Sequence, residues 1–105
     1  MPKRGYVEIT EMLSGFAFRF YMDLAEPDRL HVLARWGIEP EAAIRVFLDE
    51  TAERIWLADK QCFETRSATH VLVWLEIAPR HILVITCVPR EASQHPLPNT
   101  EDEPA

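Results

Sequence analysis

The feature that most constrains the fold of this chain is a short amphipathic segment after Ile38, followed by four extended segments that end at Val88. Glu39-Pro40-Glu41 is typical of a helix start, and apolar residues then follow at the spacing of one helical face to about residue 53. The extended segments are residues 54–58, 62–66, 70–77 and 81–88. We predict an α+β fold, with two short helices packed on an antiparallel sheet of about four to five strands.

Residues 1–88 have the composition of a single globular domain. The chain has 105 residues, of which 48% are hydrophobic and 27% are charged. From Pro89 onward the composition changes to proline, small polar residues and an acidic end. Such a segment buries too little apolar surface to offset its ordering entropy. We therefore predict a disordered, Pro-rich acidic tail over residues 89–105.

The N-terminal third contains one ambiguous segment and one clear strand. Residues 8–13 suit a short helix that ends at Gly15, although a strand from Tyr6 to Ile9 is the alternative. Residues 16–24 alternate apolar and mixed positions, which predicts a half-buried strand. Glu26-Pro27-Asp28 then indicates the start of the first helix, which Gly37 terminates. Its predicted inward stripe is Leu30, Leu33 and Ala34.

The last two extended segments are apolar on both faces. Val71, Val73, Leu75 and Ile77 alternate with Leu72 and Trp74, and the partner segment pairs with them across residues 78–80. Strands of this kind lie centrally in a sheet, with cover on each face. The helices cover one face, so we expect either the N-terminal segment or a partner chain to cover the other.

Polar residues of the predicted sheet include one set suited to acid–base chemistry. If the faces of the second and third extended segments coincide, His70, Glu64 and Arg66 converge beside an exposed Trp74. A histidine or glutamate that transfers a proton and an arginine that binds phosphate suit metal-independent cleavage of RNA. We therefore assign His70, Glu64 and Arg66 as candidate catalytic residues. The alternative is an ordinary solvent-facing strand surface, in which such pairs add little stability.

Four further residues are candidate binding residues around that set. Trp74 has a ring on which a base can stack, and the other three carry positive or titratable groups: Arg54, Arg80 and His81. No closely spaced Cys or His pair predicts a metal site, and no Gly-rich loop predicts a nucleotide site, so no cofactor is expected. Cys62 and Cys87 are expected to be buried small hydrophobes.

The net charge and the apolar segments bear on partners and location. Eleven Lys and Arg stand against seventeen Asp and Glu, a formal charge of −6, whereas nucleic-acid binders usually carry a basic excess. No apolar stretch approaches the roughly 20 residues of a membrane span, and no signal peptide is recognised. A cytoplasmic protein without membrane contact is expected.

The segment from Ala34 to Asp49, which reads ARWGIEPEAAIRVFLD, resembles small RelE-like ribonuclease toxins of the BrnT type. There a similar helix precedes a meander whose last strand has an Ile- or Val-rich core, which here is Ile82 to Thr86. The resemblance covers about half of the chain. It implies a small α+β fold, RNA cleavage and a cognate antitoxin, and it assigns no catalytic residue to a position of this sequence.

Three hypotheses of function follow. The first is a non-enzymatic protein-interaction module, antitoxin-like or immunity-like, which the acidic charge and the doubly apolar last strands favour. The second is an RNA-cleaving toxin of a toxin–antitoxin pair, which the resemblance favours. The third is a homodimeric structural protein. A basic patch that joins Arg54, Arg66 and Arg80 would favour the toxin, whereas a continuous apolar or acidic patch would favour the interaction module.

Overall fold

The computed structural model of the chain describes residues 4–91 and contains six strands and two helices. The strands are β1 (Tyr6–Thr10), β2 (Ala17–Tyr21), β3 (Glu53–Leu57), β4 (Cys62–Arg66), β5 (His70–Ala78) and β6 (His81–Pro89). The helices, α1 (His31–Trp36) and α2 (Pro40–Leu48), lie between β2 and β3 in the chain. The predicted α+β class is confirmed, and the four extended segments of the C-terminal half form β3 to β6.

The sheet is larger than predicted and mixed rather than antiparallel. Its strand order is β1-β2-β6-β5-β4-β3, and β2 pairs in parallel with β6 through positions such as Phe18 and Ile82. All other neighbouring strands are antiparallel. The parallel pair arises because the last strand returns beside the second one after the helices and a three-strand meander. As predicted, β5 and β6 lie in the centre of the sheet.

The N-terminal segment forms an edge strand, so the helix predicted over residues 8–13 is wrong. β1 pairs with β2 over its whole length, from Tyr6 opposite Tyr21 to Thr10 opposite Ala17. The Glu11 side chain accepts a hydrogen bond from the backbone N–H of Ser14 at 2.7 Å, which closes a turn where the helix was expected. Cross-strand pairing therefore outweighs the weak local helix preference.

The first helix begins later than predicted because a buried aspartate organises the segment before it. The Asp23 carboxylate accepts hydrogen bonds from the backbone N–H groups of Ala25 and Glu26, both at 3.0 Å. The resulting turn includes Pro27 and excludes it from α1, which begins at His31. The fully buried residue of α1 is Val32, and the predicted inward residues are only partly buried.

Both helices stop where the local backbone leaves helical geometry. Gly37 follows α1 in the left-handed region, with φ of 65°, as its sequence position predicts. Pro40 is the first residue of α2, also as predicted. The second helix ends at Leu48, about one turn before the predicted residue 53, because Asp49 adopts an extended conformation and its side chain accepts two hydrogen bonds from Thr51.

We expect Gly37→Ala to lower the free energy of unfolding by about 1 kcal/mol, because an alanine resists the left-handed conformation. A Cβ atom at Gly37 would meet no atom within 4 Å outside its own segment, so the loss arises from the local backbone and not from a clash with a neighbouring element. Urea unfolding measures it. Gly5→Ala is the matched control: there the added Cβ meets only the flexible Met22 side chain, at 3.2 Å. Equal stability of Gly37→Ala and wild type would contradict this reading of the helix end.

The core lies on one face of the sheet, under both helices. Residues of α1 and α2 pack there against side chains of β2, β5 and β6, namely Phe18, Phe20, Leu72, Trp74, Ile82, Val84 and Cys87. An aromatic cluster lies at its centre, where the Phe47 ring contacts those of Phe18 and Trp74 at centroid distances of 5.2 and 4.9 Å. We call this side of the sheet the helix face.

The predicted tail begins with ordered residues. Pro89 ends β6, and the Arg90 side chain donates a hydrogen bond of 2.8 Å to the backbone carbonyl of Ser67, in the β4–β5 turn. The described structure therefore extends past the predicted boundary at residue 89. The rest of the predicted tail, residues 92–105, lies outside the described residues.

Candidate functional site

The register of β4 and β5 separates the three candidate catalytic residues. Glu64 and Arg66 pair with Val73 and Val71, so these four side chains share one face of the sheet. His70 alternates to the other face, where its Nδ1 atom lies 2.7 Å from Thr69 Oγ1. Arg66 Nε donates a 2.7 Å hydrogen bond to Glu64 Oε1. The expected convergence of the three is therefore wrong, because it required the two faces to coincide.

Trp74 belongs to the core and is not the exposed tryptophan that was expected. Its side chain is 4% exposed, and its ring stacks on Phe63 at a centroid distance of 4.7 Å. Its Nε1–H donates a 2.8 Å hydrogen bond to the buried Thr65 hydroxyl. No face of this ring is open to a nucleic-acid base, so the structure excludes the predicted stacking role in this conformation.

The three arginines that would have formed a basic patch lie apart. Arg54 shares the helix face with Thr65, its partner in the register, whereas Arg66 lies on the opposite face. Arg80 lies in the β5–β6 turn with φ of 59°, and its side chain donates to the Ser14 carbonyl at 3.0 Å. Arg80 thereby connects this turn to the β1–β2 loop. The three arginines therefore do not form the joint basic patch that would have favoured a nuclease.

His81, another predicted binding residue, lies in a cluster of polar side chains on the sheet. Its Nε2 atom lies 2.7 Å from Glu8 Oε2, and Arg19 donates to the same oxygen through Nε and Nη2, at 2.9 and 2.8 Å. We call Glu8, Arg19 and His81 the edge cluster. The Arg19 hydrogen bond, followed by that of His81, holds the pKa of Glu8 below its usual value.

An alternating series of arginines and tyrosines borders the edge cluster. The Arg19 guanidinium lies 4.1 Å from the centroid of the Tyr6 ring, and Arg4 lies 5.2 Å from that of Tyr21. The two tyrosine rings contact each other edge to face at 5.8 Å. The four side chains line a surface cavity of about 550 Å³. Cations on aromatic faces and phenol groups suit a planar or anionic ligand.

The sheet face opposite the helices carries an apolar surface. One row across it runs from Glu8 and Arg19 to Leu83 and Leu75, and a second joins Ile55, Glu64 and Val73. None of these apolar side chains belongs to the core, and neither helix of residues 4–91 packs on them. Ile77, next along this side of β5, is 41% exposed. We call this side of the sheet the open face.

The N-terminal segment does not cover the second side of the central strands. The N-terminal segment was one of two expected covers, but it lies beside β2 as an edge strand. Two smaller side chains, Cys62 and Val71, are buried within this face at 4% and 2% exposure. Four apolar side chains of this face remain half-buried within the described structure and are accessible to a partner: Ile55, Val73, Leu75 and Leu83.

A partly buried line of polar side chains connects α1 to the sheet. Asp23 Oδ1 lies 3.0 Å from His31 Nδ1, and His31 Nε2 lies 3.4 Å from Thr86 Oγ1. Burial raises the pKa of Asp23, but hydrogen bonds from His31 and two backbone N–H groups lower it by more. An acid, a histidine and a hydroxyl in this order occur in hydrolases. Here the hydroxyl lies beyond the 2.6–3.2 Å of a proton-transfer contact, and the line positions α1 against β6.

Thiol and metal chemistry receive no support from the described residues. Burial raises the pKa of the Cys87 thiol to about 12, so the nucleophilic thiolate does not form near neutral pH. Both cysteines are buried, as predicted. Within residues 4–91, no three His, Cys, Asp or Glu side chains are grouped so that they could hold a metal ion.

Sequence reasoning missed most of the edge cluster. Glu8, Arg19, Tyr6 and Tyr21 were not singled out, because the first two strands were not recognised as a pair. The signal that could have found them is the alternation of residues 6–10, which places Tyr6 and Glu8 on one side of a strand and Val7 and Ile9 on the other.

We expect the stabilising contribution of Glu8 to disappear in acid. Its folded-state pKa is lowered, so the charged form is favoured in the folded protein and stabilises it above the unfolded value of about 4.5. As the pH falls through the folded-state pKa, this contribution is lost. The difference in stability between wild type and Glu8→Gln should therefore shrink below about pH 4.5, measured by urea unfolding from pH 7 to pH 3. A pH-independent difference would contradict this ion pairing.

Comparisons with profiles of protein families, with curated proteins and with solved structures gave no significant match. The resemblance to RelE-like toxins thus remains a prediction from sequence. Among residues 4–91, no helix has the length and apolar character that a membrane crossing requires.

Proposed function

We propose that this protein is an interaction module, antitoxin-like or immunity-like, that binds a partner protein through the open face of its sheet. The observation that carries the proposal is that Val73, Leu75 and Leu83 lie side by side outside the core, with Ile55 beyond Glu64 on the same face. Apolar patches with polar borders are typical of protein-binding surfaces. A partner that covers them supplies the second cover that central strands of this composition require.

The borders of the open face indicate what a partner must offer. Paired charges lie at both sides of the apolar centre, with Glu8 and Arg19 on one side and Glu64 and Arg66 on the other. Each border carries both signs, so it supports specificity more than long-range attraction. The whole chain carries a formal charge of −6, which accelerates the encounter with a basic partner. We therefore infer a partner with an apolar centre and a positive net charge.

Quantitative affinity purification from the native cell tests this proposal. We expect a defined set of proteins to be enriched by the tagged wild type, lost with Leu75→Lys and retained with Leu24→Lys. Leu24 is 79% exposed and is the matched control, because it receives the same charge away from the sheet centre. Loss with neither variant, or with both, would contradict binding through the open face. Enrichment of untagged copies of the same chain would select the homodimer instead.

A second candidate function is metal-independent RNA cleavage at the edge cluster, which the contacts of Glu8, Arg19 and His81 favour. In this reading Glu8 accepts the proton of a ribose 2′-hydroxyl as its oxygen attacks the phosphorus, and protonated His81 donates a proton to the 5′-oxygen as its bond to phosphorus breaks. Arg19 stabilises the charge that develops on the phosphate. The exposed Tyr6 ring provides a stacking surface beside them. This reading transfers the toxin hypothesis from His70 and Glu64 to residues that contact each other.

Incubation of the purified protein with a short synthetic RNA in EDTA tests the second candidate. Cleavage by wild type, a loss of roughly 100-fold or more in rate for His81→Ala, and full activity for His70→Ala would support it. His70 is the matched control because it lies on the helix face. Unchanged cleavage by His81→Ala, or none by the folded wild type, would exclude the edge cluster as a nuclease site.

A further inference from the structure

A cavity at the end of α2 lies outside the open face and the edge cluster. It has a volume of about 480 Å³, which falls in the range of small-molecule sites. Its apolar wall consists of Phe16, Phe47, Leu48 and Ala52, and its polar part includes Arg54 and Thr65. The cavity opens on the helix face, where the end of α2 meets β3 and β4.

Arg54 places a fixed positive charge in this cavity. Its guanidinium lies 4.9 Å from the centroid of the Phe47 ring and 5.0 Å from that of Trp74, and Nη2 donates a 3.2 Å hydrogen bond to the Phe47 carbonyl. These contacts hold the planar group in place. Among residues 4–91, no carboxylate lies within ion-pair distance of Arg54. Most of its five N–H donors are therefore left for a ligand.

Thr65 also lines the cavity. Its side chain is 1% exposed, and its oxygen accepts the hydrogen bond from Trp74 Nε1. A hydroxyl that accepts one hydrogen bond still has its own O–H to donate. Within residues 4–91, the Thr65 hydroxyl accepts this hydrogen bond and donates none. A buried donor without an acceptor costs stability unless a ligand or water satisfies it.

Two carboxylates at the rim limit what the cavity can bind. Asp49 and Glu50 also line it, and they oppose multiply charged anions. The Asp49 carboxylate is directed to Thr51, which donates hydrogen bonds of 2.6 and 2.9 Å to Oδ1. These bonds, from the Thr51 hydroxyl and then its N–H, hold the pKa of Asp49 below its usual value. The lining thus carries one positive and two negative groups, so an anion is favoured only in direct contact with Arg54.

We propose that this cavity binds a small monocarboxylate with an apolar body, such as a short-chain fatty acid. The carboxylate pairs with the Arg54 guanidinium and accepts a hydrogen bond from the Thr65 hydroxyl. The apolar body contacts Phe16, Phe47 and Leu48. Arg–carboxylate pairing supplies orientation, and the apolar wall supplies most of the burial. This site lies on the helix face, so it is independent of partner binding at the open face.

Trp74 reports binding directly, because it contacts both Arg54 and Thr65. We expect hexanoate to change the Trp74 fluorescence of a Trp36→Phe/Trp56→Phe protein, in which it is the one remaining tryptophan of three. A dissociation constant of roughly 0.1–10 mM suits a ligand of this size. Protonated hexylamine, which has the same chain and the opposite charge, should bind at least about tenfold more weakly. Equal effects of the acid and the amine, or none from hexanoate, would overturn the proposal.

Variants locate the binding site within the cavity. In the same background, Arg54→Gln should weaken hexanoate binding about tenfold or more, and Thr65→Val should weaken it by a smaller factor. Arg66→Gln is the matched control, because Arg66 lies on the open face and pairs with Glu64. Unchanged affinity in Arg54→Gln would overturn the assignment. The comparison of acid and amine on the folded parent protein needs no cavity variant, so loss of folding in a variant leaves the test intact.

Discussion

Phe47→Ala is expected to lower the free energy of unfolding by about 3–5 kcal/mol, because the truncation opens a cavity in the aromatic core. The Phe47 ring is 6% exposed and contacts the rings of Phe16, Phe18 and Trp74 at centroid distances of 5.2, 5.2 and 4.9 Å. Its removal leaves a gap between α2 and the sheet. Because a small domain has only about 5–15 kcal/mol of stability, this is a large share of the total.

Urea unfolding followed by far-UV circular dichroism measures the loss. Leu24→Ala is the control, because its side chain is 79% exposed and its truncation should change stability by no more than about 0.5 kcal/mol. A loss below about 1 kcal/mol for Phe47→Ala would mean that α2 is not held to the sheet through this aromatic cluster.

The second large effect is a contrast between the two faces of β5. Leu72→Lys should abolish cooperative folding, because Leu72 is 0% exposed and its replacement places an unpaired charge in the core. Leu75→Lys, three residues further along the same strand, should cost about 1 kcal/mol or less, because an ammonium group on the open face reaches water. Near-UV circular dichroism and urea unfolding separate the two outcomes.

This contrast tests the openness of the second face in the isolated protein. If Leu75→Lys also prevents folding, the open face is covered by something that the fold requires, and the proposed binding surface is part of a core. If Leu72→Lys folds normally, the helices do not cover the face that carries Leu72, and the assignment of the two faces is inverted.

Local patterns in the sequence predicted the elements of the C-terminal half closely. The bounds of β4 are those predicted, because Asp59-Lys60-Gln61 and Ser67-Ala68-Thr69 are strong turn signals on either side. Gly37 and Pro40 likewise fixed one end of each helix. Local periodicity carries this information because these features depend on a few neighbouring residues.

Features that depend on distant residues could not be predicted in the same way. The parallel pairing of β2 with β6 joins segments more than sixty residues apart, and no local pattern specifies that choice. The separation of His70 from Glu64 follows from the β4–β5 register, in which a shift by one residue would exchange the faces. The burial of Trp74 and the contacts of Arg54 could not be predicted either, because they depend on the position of α2.

The edge cluster shows how one early misassignment hides a site. Once residues 8–13 are taken as a helix, Glu8 has no reason to lie near His81, which is distant in sequence. In the folded sheet β1, β2 and β6 are successive neighbours, and this brings the two side chains to 2.7 Å. The strand order of the sheet thus brings the edge cluster together, and no sequence motif indicates it.

Site-specific photo-crosslinking in the native cell tests the central claim, that the open face binds a partner protein, most directly. A photoreactive phenylalanine analogue at position 75 lies in the apolar centre of that face, and one at position 24 provides an exposed control. We predict one discrete protein adduct from position 75 and none at the same mass from position 24. The absence of a position-specific protein adduct, with the labelled protein folded and expressed, would contradict the claim.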